Sequence, residues 1–266
     1  MTIEKCHRCV GSQACQNQVV NECLPVSAFG NVSGKSVKVA IIGLNPALNE
    51  FYHSDYITLK NRSQRLAALS DYNLTSRADL QEADIKDAKK RREEYFINAD
   101  REWHSHFEKL EGLISRIQPL WSFVSGRLVH IDLVACSTRV RWSDLLDDCQ
   151  KELLTNCRSH FLTTLSQLPN GTMLLLDGSR VLSEMKNDEI KKLGLIFEQE
   201  GEKKLINIQW NYGYIGKLKW ADKEFPFRGW SMPVGKLSQL WRYDLSAWIC
   251  GTLNPPLRFL PVASLP

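Results

Sequence analysis

The run Val37-Lys38-Val39-Ala40-Ile41-Ile42 stops at Gly43 and is followed at once by Leu44-Asn45-Pro46-Ala47. A carboxamide in that place can orient a water molecule without a shifted pKa, because it both donates and accepts hydrogen bonds. Pro46 fixes the backbone next to it, so the side chain is held. Asn45 is therefore the first candidate for chemistry. A second group lies at the amino terminus, where Cys6, Cys9, Cys15 and Cys23 account for half of the eight cysteines. Four thiolates on so short a segment can close a tetrahedral structural zinc site, with His7 as a substitute ligand. They can equally hold an iron–sulfur cluster.

Both groups need elements to position them. With 266 residues, the chain accommodates one large domain with a small appendage, read here as a cysteine knuckle over residues 1–30 and an α/β domain over 31–266. The 43% hydrophobic and 24% charged residues are those of a globular protein. No apolar run reaches the roughly 18 residues of a membrane span, and MTIEKCHRCV has no secretory apolar stretch. A cytoplasmic monomer without a membrane partner or a nucleotide cofactor is expected. The net charge of +4 permits contact with a polyanion without demanding it.

The β-branched run to Ile42 suits a strand buried on both faces. Further strands are expected at 128–134 and 172–176, with a pair at 204–210 and 214–220 and a short one before Ser231. Helical patterns fall at 57–71, 77–95, 103–117, from about 143 to 168, after Gly178 as far as Leu193, and from 237 to about 249. Ser143 is a candidate N-cap. Strands alternating with helices give an α/β/α sandwich on a largely parallel sheet. Ligands of such sheets gather beyond the carboxyl ends of the strands, where Asn45 falls. His104 and His106 read as a helix face, since the spacing places no carboxylate beside them.

Four segments in order resemble the uracil-DNA glycosylase superfamily, most closely its mismatch-specific uracil/thymine branch. They are Gly43-Leu44-Asn45-Pro46, then Ile131-Asp132-Leu133-Val134 with Ser137-Thr138, then Leu174-Leu175-Leu176-Asp177-Gly178, and finally Met232-Pro233-Val234-Gly235-Lys236-Leu237-Ser238. The resemblance covers about residues 37–248. It implies a uracil-DNA-glycosylase-like fold, DNA as partner, and hydrolysis of the N-glycosidic bond of a base flipped out of the duplex. Asn45 would then position water beside the sugar, with Gly43 and Leu44 against the base. Because no motif supplies a Schiff-base lysine, an abasic site rather than a strand break is expected.

The departures from the pattern carry the specificity argument. Where uracil enzymes read the base with an amide, this chain has Asp132, and an ionised carboxylate only accepts. Cytosine offers an amino donor there. Ala47 replaces the bulky aromatic that blocks substituents at C5. Together they point to a 5-modified cytosine, as in phage DNA, and to a resemblance to prokaryotic anti-phage DNA glycosylases; uracil/thymine mismatch repair is the alternative. Met232 replaces the base-contacting His or Asn of the closing loop, leaving Ser231 or Lys236 as substitutes and, as a further alternative, a non-catalytic zinc-containing DNA-binding protein. Phe51 or Tyr52 would stack on the base, Arg139, Arg141 and Lys236 would meet phosphates, and Leu237 would wedge into the base stack. Iron–sulfur members of the superfamily usually draw ligands from both the amino terminus and the interior of the fold. A self-contained knuckle therefore favours zinc over a 4Fe–4S cluster.

Overall fold

The computed structural model describes residues 2–51, 66–97, 105–204 and 212–253. Strands β1 (Ala28–Phe29), β2 (Val39–Gly43), β3 (Leu128–Asp132), β4 (Met173–Asp177), β5 (Ile196–Lys204), β6 (Tyr212–Trp220) and β7 (Lys223–Trp230) form one sheet in the order β1-β3-β2-β4-β7-β6-β5. The central four, β3, β2, β4 and β7, are parallel. The margins are not: β1 runs against β3, and β6 pairs antiparallel with both β7 and β5. The mixture follows from chain length, because β6 and β7 are joined by Ala221 and Asp222 alone, too short a link for a parallel crossover. Ala221 takes the positive φ of 54° that such a turn needs.

Alternation along each central strand splits the core in two. Ala40 and Ile42, Val129 and Ile131, and Leu174 and Leu176 face one way, onto α3 (Asp147–Gln167) and α4 (Ser179–Met185), where Leu153, Phe161, Leu165 and Val181 meet them. Val39 and Ile41, Leu128, and Met173 and Leu175 face the other way. There they meet Phe107, Leu110 and Ile114 of α2 (Ser105–Ile114) and Leu245 and Ile249 of α6 (Gln239–Leu253). Helices thus cover both faces, as the alternating pattern implies. A smaller cluster places Leu24 and Leu69 with Leu80 and with Ala88 of α1 (Glu82–Glu93). No helix among the described residues is long and apolar enough to cross a membrane.

Several boundaries differ from the sequence expectation for local reasons. The fifth strand ends at Lys204 instead of starting there, because EQEGEKK carries the charges of an exposed edge instead of an apolar alternation; residues 205–210 lie outside the described residues. The helix expected through Leu193 is divided, since the Asn187 side chain accepts from the Glu189 N–H and starts α5 (Asp188–Lys192). Ser143 does not cap α3, whose N-cap is Leu146. The amino-terminal segment shares the core of the domain: Cys9, Cys15 and Val19 pack on the α3 side, and β1 extends the sheet.

Candidate active site and cysteine centre

Strand register puts three residues on one level across the middle of the sheet. Gly43 pairs with Asp132, and Ile42 pairs with Leu176, one residue before Asp177. By alternation all three face the α2 layer. A cavity of about 560 Å³ opens there, within the usual range for a small-molecule or base pocket. Its walls come from Gly43 to Ala47 after β2, Asp132 of β3, Asp177 to Val181 after β4, and Pro233 and Lys236 after β7. Arg141, Trp142 and Ser143 close one side, and Phe29, Glu50, His106, Phe107 and His130 another.

Gly43 is required by close approach. A Cβ at this position would lie 2.5 Å from His130 Nε2 and 2.7 Å from Asp132 Oδ1. The His130 ring lies over that bare backbone and holds Asp132, with Nε2 3.0 Å from Oδ1. Asp132 is 2% exposed, and its other oxygen, Oδ2, has no hydrogen-bond partner among the described residues. The Trp142 indole N–H, also on the cavity wall, has none either. With His130 Nδ1, also buried without a partner among the described residues, these atoms are left for a ligand, and buried polar groups are seldom left alone.

Asn45 is half-buried and lines the cavity. Its Nδ2 donates to Thr138 Oγ1 and to the Pro46 carbonyl, both at 3.3 Å. Because the Thr138 hydroxyl donates to Val140 O at 2.8 Å, it can only accept from Asn45, which fixes the amide orientation. The Asn45 Oδ1 accepts no hydrogen bond among the described residues, so it can hold a water proton.

The opposite wall carries Asp177. Its Oδ1 accepts from Trp230 Nε1 and from the Val234 N–H, both at 2.8 Å, which ties the end of β4 to the closing loop. Its Oδ2 lies 3.7 Å from His106 Nε2. Burial raises the Asp177 carboxyl to about 6, against the pull of the two donors and of His130. Gly178, at φ +104°, lets Pro233 pack where a Cβ would come within 2.8 Å.

The structure separates the remaining expected site residues. Gly43, Leu44, Asn45, Ala47, Asp132, Arg141 and Lys236 line the one cavity. Phe51 does not: it is fully buried in the α2-side core, which removes it as a stacking surface. Tyr52 lies outside the described residues. Leu237 is 4% exposed and packed in the same core, so it is no wedge. Met232 leans on that core, and Ser231 Oγ accepts from the Tyr212 N–H at 2.8 Å; neither lines the cavity. Arg139 pairs with Glu22 at 3.4 Å away from it. His106 does have a carboxylate partner, supplied by β4 more than 70 residues along the chain. His130 was legible as the residue two before Asp132 on a strand, hence on the same face.

The four amino-terminal cysteines do not form one knuckle. Cys15 is disulfide-bonded to Cys149 of α3, with Cα atoms 4.8 Å apart. Cys9 instead joins Cys136 and Cys157, the three buried sulfurs lying within 4.8 Å of one another. Cys6 and Cys23 are buried nearby in sequence but outside this group. Hydrogen bonds from Cys157 and Cys9 hold the Cys136 thiol well below its ordinary pKa, with Arg77 adding to the effect. Correspondingly, Cys157 is raised, and Cys9 is pushed up to about 12, first by Cys136. Arg77 is 3% exposed and donates to the carbonyls of Cys6, Val20 and Cys23 at 2.7, 3.2 and 2.7 Å. It has no carboxylate partner among the described residues. A buried guanidinium needs a counter-charge, and Cys136 is the neighbouring group whose charged form Arg77 favours. Three converging sulfurs with an adjacent cation are a donor set for a thiophilic metal centre.

Compared with known proteins, the chain matches no family model, no curated protein and no solved structure. The chemistry must therefore be argued from the site itself.

Proposed function

We propose that this protein is a monofunctional DNA glycosylase with a uracil-DNA-glycosylase-like fold, hydrolysing the N-glycosidic bond of a flipped-out 5-modified cytosine, as in phage DNA. The observation that carries the reading is the convergence of the four strand-end segments, in order, on one cavity with the Asn45 amide at its edge. Cleavage of a glycosidic bond builds positive charge on the sugar. Asn45 Oδ1 holds water against that carbon, while the buried acceptor on Asp132 takes the amino group of the base. Ala47 leaves room at C5. Arg141 after β3, Arg180 at the start of α4 and Lys236 of the closing loop, all exposed, ring the mouth where phosphates would pass. Defence against phage DNA, in a cytoplasmic monomer, is the role this specificity suits.

The thiolate centre is the second part of the proposal. Cys9, Cys136 and Cys157 hold it, and Cys6, separated from Cys9 by His7 and Arg8, is proposed as the fourth ligand. A self-contained knuckle favours zinc; ligands drawn from the amino terminus and the fold interior together favour a 4Fe–4S cluster. The centre would fix the amino-terminal segment against α3 and take no part in hydrolysis. Metal analysis decides: iron with acid-labile sulfide and visible absorption supports the cluster, whereas one zinc per chain overturns that assignment.

Mass spectrometry of bases freed from duplexes carrying 5-hydroxymethylcytosine, uracil or only normal bases tests the activity. Release of the modified cytosine, leaving an abasic site, is expected. A second reading, a non-catalytic DNA-binding scaffold, is favoured by Met232, which leans on the core and offers the base no donor. It predicts binding at low salt without release of any base.

A further inference from the structure

The side of the cavity facing α2 carries two carboxylate–imidazole pairs that meet. Asp132 Oδ1 lies 3.0 Å from His130 Nε2, the His130 and His106 rings lie 6.1 Å apart at 86°, and His106 Nε2 lies 3.7 Å from Asp177 Oδ2. All four residues line the cavity. The array spans three elements, because β3 and β4 flank β2 and only the bare Gly43 backbone lies between their carboxylates. His106 enters from α2, and a Cβ on Gly235 of the closing loop would lie 3.5 Å from its Nδ1. A packing role alone would not require two histidines to be set between two buried carboxylates at a pocket wall.

We propose that this array is an acid for the departing base: charged His106 gives it a proton, which makes the site selective for amino-bearing pyrimidines. The inference rests on the glycosylase reading above. Cytosine-type bases are far weaker N–H acids than uracil or thymine, so they leave poorly as anions and gain most from protonation. In the step, the C1′–N1 bond breaks with both electrons passing to the base, and the imidazolium proton moves to that base. Water forms the C1′–O bond, and the proton it sheds restores the array. The acid therefore comes from α2 and not from the closing loop, where Met232 offers none. The titratable and charged groups that line the cavity with His106 are Asp177 of β4, His130 and Asp132 of β3, Arg141 after β3, Arg180 of α4, Glu50 after β2 and Lys236 of the closing loop.

The test is single-turnover base release, from about pH 5 to pH 9, on two duplexes differing only in one 5-hydroxymethylcytosine or one uracil, with wild type and His106→Gln. Wild-type release of the cytosine should fall as pH rises across this range, since the protonated form is active. His106→Gln should lower that release by about 10²- to 10⁴-fold and flatten the pH limb. Uracil leaves more readily as an anion and needs the proton less, so any uracil release should fall by a smaller factor than the cytosine's; retained binding of the 5-hydroxymethylcytosine duplex and an unchanged urea midpoint verify that the variant is folded. Equal loss on both bases, an unaffected cytosine rate, or wild-type cytosine release independent of pH overturns the array's role. Release of neither base by the wild type overturns the glycosylase reading itself, and this inference with it.

Discussion

Gly43 shows how tightly one residue governs the site. Its backbone passes beneath His130 and Asp132 with no room for a methyl group, so Gly43→Ala must displace the pair. A loss of about 1–3 kcal/mol in unfolding free energy is expected, measured by urea titration; an unchanged midpoint would contradict the close approach. Asp132→Asn tests how the base is read. An amide donates as well as accepts, so preference should move from cytosine toward uracil by about 1–3 kcal/mol, seen in the ratio of release rates. If the ratio holds, Asp132 does not read the base. At this scale the sequence disclosed Asn45, Ala47 and Asp132, because each ends or follows an apolar strand. It did not disclose His106, whose carboxylate partner arrives from β4, or the burial of Phe51 and Leu237, which depends on α2 and α6 closing over them.

The elements were legible where burial imposes a period. Val39 to Gly43 and Met173 to Asp177 are buried throughout and read as apolar runs; α3 alternates its buried face over 21 residues. The polar edge strand β5 gave no such signal. Nor did the amino-terminal cysteines, which cluster within one short segment of sequence although Cys9 meets Cys136 after β3 and Cys157 on α3. Spacing cannot reveal a site assembled across three elements. Arg77 locks that assembly, donating to three carbonyls of the amino-terminal segment and lowering the pKa of the nearby Cys136 thiol. Arg77→Met removes the counter-charge and should cut bound metal per chain by about tenfold or more, by analogy with the losses when outer-shell partners are removed. Retention of full metal content after gel filtration would show that the guanidinium does not stabilise the centre.

Over the whole molecule, the two halves of the core leave the carboxyl ends of four parallel strands uncovered, and the cavity is what remains between their loops. Holding a carboxyl there has a pH signature. Asp177 is raised to about 6 by burial, so its contribution to stability is full below the ordinary carboxylate pKa and is lost as pH rises through 6, a difference of about 3 kcal/mol. Asp177→Asn keeps an acceptor for Trp230 and Val234 and removes the charge. It should therefore be more stable relative to wild type at pH 8 than at pH 5 in parallel denaturant titrations; a difference independent of pH would contradict a buried, raised carboxyl. The central claim, that this cavity hydrolyses the bond to a flipped-out modified cytosine with Asn45 placing the water, meets its most direct test in base release by wild type and Asn45→Ala from the same 5-hydroxymethylcytosine duplex. The account predicts free base from the wild type and a rate about 10²-fold or more lower from the variant, with DNA binding retained. Equal release from both proteins, or no release from either, would contradict it.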